Sequence, residues 1–172
     1  MSAKSHAGTS TSRAKIVELV SLLPGIHLRE LQRMLGVSFN SIRYNIEILS
    51  KSGEIVCEKS SGYSRLFPVG LSESDRVIYS ALRNRTAKMI VLELERGQQL
   101  TNKELSERTG LAKSTISEHV HELLLSNIVH LTLTDGGFKV ELCDPERVNE
   151  ILTRQARENG IVESFTDLWD GL

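Results

Sequence analysis

The sequence predicts a mainly helical α+β fold with small β-hairpins, in which one structural unit is written twice and followed by C-terminal helices. Three observations predict it. The text Arg29-Glu30-Leu31 to Gly36-Val37 recurs as Lys103-Glu104-Leu105 to Gly110-Leu111, an offset of 74 residues. Around each copy, apolar residues recur at helical spacing. After each copy, two short runs rich in β-formers flank a turn containing glycine, the signature of a hairpin.

Kept without a gap, the offset also pairs Ser41 with Thr115, Ile42 with Ile116, Ile46 with Val120, Leu49 with Leu123, Ser52 with Ser126 and Ile55 with Val129. Upstream, Ala14 to Val17 matches Ala87 to Val91 after a one-residue adjustment. In the first copy Ile16, Leu19, Val20 and Leu23 form a helical stripe that Pro24-Gly25 ends. A short second helix carries Leu28, Leu31 and Leu35, and Gly36 supplies the permissive backbone of the turn after it. Ser38 is the N-cap of a third helix with the stripe Ile42, Ile46 and Leu49, stopped by Gly53. Glu54 to Lys59 and Ser64 to Pro68 read as strands around Ser60-Ser61-Gly62-Tyr63. The second copy predicts helices over about 86–95, 102–109 and 113–126, with Gly110 as the turn, and strands over 129–134 and 138–142 around Asp135-Gly136-Gly137.

Three helices and a β-hairpin, with a short turn between the second and third helices, make a winged helix-turn-helix. The chain therefore reads as two tandem winged helix-turn-helix domains. The expected organisation is a disordered tail over 1–12, domains over 13–70 and 83–142, and a linker helix over 71–82 capped at Ser72 to Asp75. A C-terminal helical segment over 143–172 follows, opened by Asp144-Pro145 and broken at Gly160. In such a unit the first two helices support the third, whose polar face is free to enter a DNA major groove about 12 Å wide, while the hairpin reaches the flanking backbone. The same architecture can also serve as a scaffold with no nucleic-acid role.

Composition is ordinary for one moderate or two small globular domains, and with aromatics at only 5% the core must come from Leu, Ile and Val. No stretch approaches the roughly 20 apolar residues of a membrane span, and the N-terminus lacks the apolar segment of a secretion signal. Cys57 and Cys143 are spaced for neither a disulfide framework nor a zinc knuckle, so a cytoplasmic location is the default expectation. Net charge is −1, yet residues 1–70 hold nine Lys/Arg against five Asp/Glu, a balance of +4. Residues 143–172 hold three against seven, a balance of −4, so the basic character needed to meet phosphate lies in the first half.

The text Ala81-Leu82-Arg83-Asn84-Arg85-Thr86-Ala87-Lys88-Met89-Ile90, followed by Leu111-Ala112-Lys113-Ser114-Thr115-Ile116-Ser117-Glu118-His119-Val120, resembles regulators of the ArsR and MarR types. The first copy is similar to the same superfamily. Two copies on a short chain resemble archaeal two-winged-helix regulators, and the resemblance covers most of residues 13 to 142. It implies that the turn and first two turns of the third helix face bases and phosphates: Asn40, Ser41, Arg43 and Tyr44 in the first copy, and Ser114, Thr115 and Ser117 with Lys113 just before them in the second. Glu118 departs from the pattern, since that position often carries Arg, and an acid there repels phosphate unless it accepts from a cytosine amino group. The second copy is then a weaker DNA reader or a protein-contact domain.

Arg43 is the leading candidate, because its guanidinium can grip guanine or clamp a phosphate and it lies off the Ile42, Ile46, Leu49 stripe; the alternative is a solvated surface arginine. Asn40 and Ser41 stand where backbone N–H groups attract phosphate, or serve as ordinary caps. Tyr44 is open to a phosphate contact or to packing under the wing. Lys59 and Arg65 flank the first wing's tip, as backbone contacts or as edge-strand charges that discourage aggregation. His119 and His121 stand two apart on a helix and point about 200° away from each other, so they do not share a metal ion. Both cysteines read as small buried residues before thiol sensors.

No Walker loop, His-Glu-x-x-His or Gly-x-Ser-x-Gly motif is present, and the chain is read as a non-enzyme without cofactor or metal. The expected function is sequence-specific binding of double-stranded DNA as a transcription regulator at promoters. The alternative is a winged-helix module that contacts RNA polymerase or basal factors. Phe165, Leu168 and Trp169 near the acidic end are expected to be covered, either by the chain's own first helix or by a second copy in a homodimer.

Overall fold

Burial follows the offset of the sequence repeat. In a computed structural model that describes the backbone of residues 4–60 and 63–169 and the side chains of residues 13–59 and 64–161, the chain divides into two units. One comprises Met1–Arg76 with Arg154–Leu172, the other Val77–Thr153. Both are helical with small antiparallel β-hairpins.

The first unit contains α1 (Lys4–Leu22), β1 (Ile26–His27), α2 (Leu28–Leu35), α3 (Phe39–Lys51), β2 (Ile55–Ser60) and β3 (Tyr63–Pro68). Ile16, Val20, Ile26, Leu31, Ile42, Leu49 and Leu66 fill its core, each side chain worth roughly 1.5–3 kcal/mol when removed from water. Helix α2 ends on Gly36 at φ 62°, a left-handed conformation that costs a residue without Cβ little, and α3 starts on Ser38, whose hydroxyl accepts from the backbone N–H of Ser41. The three strands lie in the order β1-β3-β2, with Ile26 opposite Leu66 and Ile55 opposite Pro68.

The second unit contains most of α4 (Glu73–Leu82), then α5 (Arg85–Gly97), α6 (Asn102–Thr109), α7 (Lys113–Leu125), β4 (Val129–Thr134), β5 (Gly137–Leu142) and the start of α8 (Pro145–Trp169). Its core positions repeat those of the first unit at the same offset: Ile90 for Ile16, Leu94 for Val20, Leu100 for Ile26, Leu105 for Leu31, Ile116 for Ile42 and Val140 for Leu66, all buried. The upstream match thus needs no one-residue adjustment. Polar bracing of the helix-to-helix turn repeats as well, because Gln32 Nε2 donates to the Val37 carbonyl in the first unit and Ser106 Oγ to the Leu111 carbonyl in the second. Leu100 bridges Val140, where β1 pairs with β3 in the first unit.

Four features differ from the sequence reading. Helix α1 begins at Lys4, so residues 4–12 are helical rather than a disordered tail; once a turn is nucleated by the buried Ile16 and Val20, extension through weak formers is inexpensive. Strand β1 has only two residues and leaves no periodic trace. Helix α8 runs through Gly160 without a break, since one glycine costs only about 1 kcal/mol against a 25-residue helix. The linker helix is divided between units: Arg76 at its start is tied to Glu58 and to the Leu71 carbonyl, while Ile78, Tyr79 and Leu82 are buried from there on. The C-terminal segment is similarly divided at Arg154. Phe165, Leu168 and Trp169 lie outside the residues whose side chains are described. Among the described residues no helix is long and apolar enough to cross a membrane.

Candidate nucleic-acid interface

The core of the first unit fixes which side of α3 faces out. Ile42, Asn45, Ile46 and Leu49 are buried, which leaves Asn40, Ser41, Arg43, Tyr44 and Glu47 on the open side. Tyr44 is 62% exposed, so it does not pack under the hairpin. The cap of α3 is Ser38, and the buried Asn45 donates from Nδ2 to the Ser41 carbonyl, which holds the first turn rigid and leaves the side chains of Asn40 and Ser41 outside the capping bond.

Between this side of α3 and the hairpin lies a groove of about 610 Å³. Arg43, Lys51 and Lys59 line it, together with Glu47 and the apolar Phe39 and Ile46. Glu47 Oε1 accepts from Lys51 Nζ at 2.7 Å. That hydrogen bond, then the Lys51 charge, then the more distant Arg43 and Lys59 hold the Glu47 carboxyl below its usual range, and the same pair holds Lys51 above its own. Three cations and one anion in one groove attract a polyanion. At the mouth, the Arg29 guanidinium lies over the Phe39 ring, 5.7 Å from its centroid.

Arg65 is placed elsewhere. Its guanidinium donates to the Gly25 carbonyl at 2.9 Å and braces the turn between α1 and β1. The cause is β1, which makes β3 the central strand, so a residue that looks like an edge-strand charge in an isolated hairpin lies beside the α1–β1 turn and is half-buried there. Cys57 lines the groove, but burial pushes its thiol pKa up, away from a reactive thiolate.

In the second unit Ile116, Val120 and Leu123 of α7 are buried, which exposes Lys113, Ser114, Ser117 and Glu118, with Thr115 half-buried. Helix α7 has no side-chain cap, because Ala112 stands where the first unit has Ser38. His119 Nδ1 lies 2.9 Å from Glu122 Oε2, and no group of three or more candidate metal ligands occurs among the described residues. Sequence reasoning missed Glu47, Lys51 and Phe39 as parts of the groove; the signal was their i, i+4 and i, i+8 spacing from Arg43 and one another along the open face of α3.

Residues 83–130 match the family model described as winged helix-turn-helix DNA-binding, which makes this stretch a domain of that class. The match covers less than a third of the chain. Among solved structures, a transcriptional regulator from Thermotoga maritima is similar at 17% identity and a TM-score of 0.41, over 75% of this chain and 78% of that one. The ESCRT-II endosomal complex is similar at 14% identity and a TM-score of 0.36, over 81% of this chain and 64% of that one. Human N-acetylserotonin methyltransferase is similar at 10% identity and a TM-score of 0.30, over 74% of this chain and 44% of that one. Likenesses this distant carry no functional argument. The comparison with curated proteins returns no match.

Proposed function

We propose that this protein is a sequence-specific, double-stranded DNA-binding transcription regulator of two tandem winged helix-turn-helix domains, acting at promoters in the cytoplasm by binding rather than by catalysis. The observation that carries the proposal is the open face of α3, where Asn40, Ser41, Arg43 and Tyr44 are all exposed above a buried aliphatic stripe, with Lys51 at the end of the same helix and Lys59 on the hairpin. A rigid helix with short polar residues in its first turn and an arginine behind them suits base-edge and phosphate contacts together. Lys113, Ser114, Thr115 and Ser117 add phosphate contacts or partner contacts from the second unit.

The test is selection of bound duplexes from a randomised pool, followed by titration of the selected site. Arg43→Ala is expected to cost about 1–3 kcal/mol of specific binding and to relax selection at one position; unchanged affinity and selectivity would remove α3 from the reading role. A second reading, a module docking on RNA polymerase or a basal factor, draws on Glu118, an exposed acid on the α7 face that repels phosphate. A protein of that kind gives no sequence-selective signal that weakens with salt.

A further inference from the structure

We propose that the face between α7 and the β4–β5 hairpin docks against the same face of a second copy of this chain, so that the protein pairs through its second unit. The offset of 74 residues allows the groove of the first unit to be compared position by position with the second. Lys51, Cys57, Lys59 and Ser64, which line that groove, correspond to Leu125, Leu131, Leu133 and Phe138. These four are exposed by 73%, 46%, 72% and 64%.

The hairpin explains how they come together. Leu131 and Leu133 alternate with His130 and Thr132 along β4, on the side that carries the buried Val129, and Leu133 lies opposite Phe138 across the ladder. The core face of the hairpin therefore continues outward as apolar surface past the point where the unit's own helices cover it. Together with Leu125 the four side chains present on the order of 400–500 Å² of apolar surface, the size at which a patch on a monomer marks an interaction site.

Charge and area select the occupant. An isologous contact sets the same face of two copies against each other, so a face with a large net charge repels its partner. In the first unit that face carries Arg43, Lys51 and Lys59 against Glu47. In the second the corresponding residues are Ser117, Leu125, Leu133 and His121, and the one lysine at a groove position is Lys113, which stands in place of Phe39 at the start of α7. Two such patches together remove on the order of 1,000 Å² from water, the lower bound of a specific interface. A phosphate backbone has no use for a leucine-lined face. The inference leaves DNA reading to the first unit and stands or falls separately from it.

Sedimentation of the full chain across a concentration series tests the pairing. The wild type is expected as a dimer that dissociates on dilution. The double variant Leu133→Lys/Phe138→Ser, which writes the residues of the first unit into the second, is expected to weaken pairing at least tenfold, with a thermal melt equal to that of the wild type when both are compared at a dilution where the wild type has dissociated, because both positions are exposed. Arg43→Ala is expected to leave pairing intact, so loss of DNA binding and loss of the dimer are read apart. A Leu133→Cys variant in a Cys57→Ser/Cys143→Ser background is expected to form a covalent dimer on mild oxidation, since a residue near the two-fold axis meets itself. A wild-type chain that stays monomeric throughout, a dimer indifferent to the double variant, or a double variant that loses DNA affinity while still pairing would each overturn the proposal.

Discussion

Glu47→Gln is expected to tighten DNA binding. Among the residues lining the groove of the first unit, Arg43, Lys51 and Lys59 oppose Glu47, a net of +2 that the substitution raises to +3. It also frees Lys51, whose ammonium is otherwise held 2.7 Å from the carboxylate. Glutamine forms helix about as well as glutamate, and the side chain is exposed, so the fold has no reason to change. Each phosphate neutralised contributes about −0.9 to the slope of log affinity against log salt. One additional phosphate contact therefore steepens the slope by about 0.9, which is about eightfold tighter binding at about 0.1 M salt and no gain near 1 M.

Fluorescence anisotropy of a labelled duplex, repeated across salt concentrations, reads both the slope and the affinity. A gain of binding is the more demanding outcome, because misfolding can imitate a loss but not an increase that disappears at high salt. Glu122→Gln is the matched control: it removes an exposed carboxylate from α7, beside the face that the second unit is proposed to use for pairing, and it should leave the slope unchanged. An unaltered slope for Glu47→Gln, or a weaker complex, would show that phosphates do not enter this groove, and the reasoning from Arg43 and Lys59 would go with it.

Two further predictions concern the scaffold. Arg65→Ala should cost about 1–3 kcal/mol in urea unfolding by removing the charged donor from the Gly25 carbonyl, while the folded fraction binds DNA with unchanged affinity; a specific loss of affinity would return Arg65 to the interface. Thr101→Ala should cost about 1 kcal/mol at neutral pH by removing half of the capping box of α6. The bonds from the Thr101 backbone and hydroxyl hold the Glu104 carboxyl below its ordinary range. Its contribution is therefore complete above the unfolded carboxyl pKa and is lost as pH falls through the folded value, so the gap between wild type and Thr101→Ala should narrow in acid melts; a gap constant with pH would detach Glu104 from the cap.

Helices with a periodic stripe and a glycine stop are legible in the sequence. Residues 28–35 and 102–109 are helical as the leucine spacing and Gly36 and Gly110 predict, because a left-handed residue after an apolar run is a strong local signal. What failed were features decided by partners far along the chain. Strand β1 exists only because Ile26 and His27 lie beside β3, and the fate of Arg65 follows from that pairing. Gly160 reads locally as a break, although helix continuity is a sum over many residues. The outward leucines of β4 were visible as strand formers, but alternation alone does not tell how far along a hairpin the core extends.

The two units together offer an internal experiment on what the fold requires. At the offset of 74 residues, Ile16, Val20, Ile26, Leu31, Ile42, Ile46, Leu49, Ile55 and Leu66 and their counterparts are all buried Ile, Leu or Val, since close packing tolerates little change of volume or polarity. The groove positions exchange Lys51, Lys59 and Ser64 for Leu125, Leu133 and Phe138 with no change in the order of helices and strands. The energy that determines the backbone therefore does not reside in the groove, and chemistry there is free to follow its occupant. A cationic groove suits a polyanion, and a leucine-lined one suits another apolar surface. Pairing through the second unit would then carry two α3 helices in one particle, and DNA affinity would rise steeply with protein concentration through the same range in which the dimer forms.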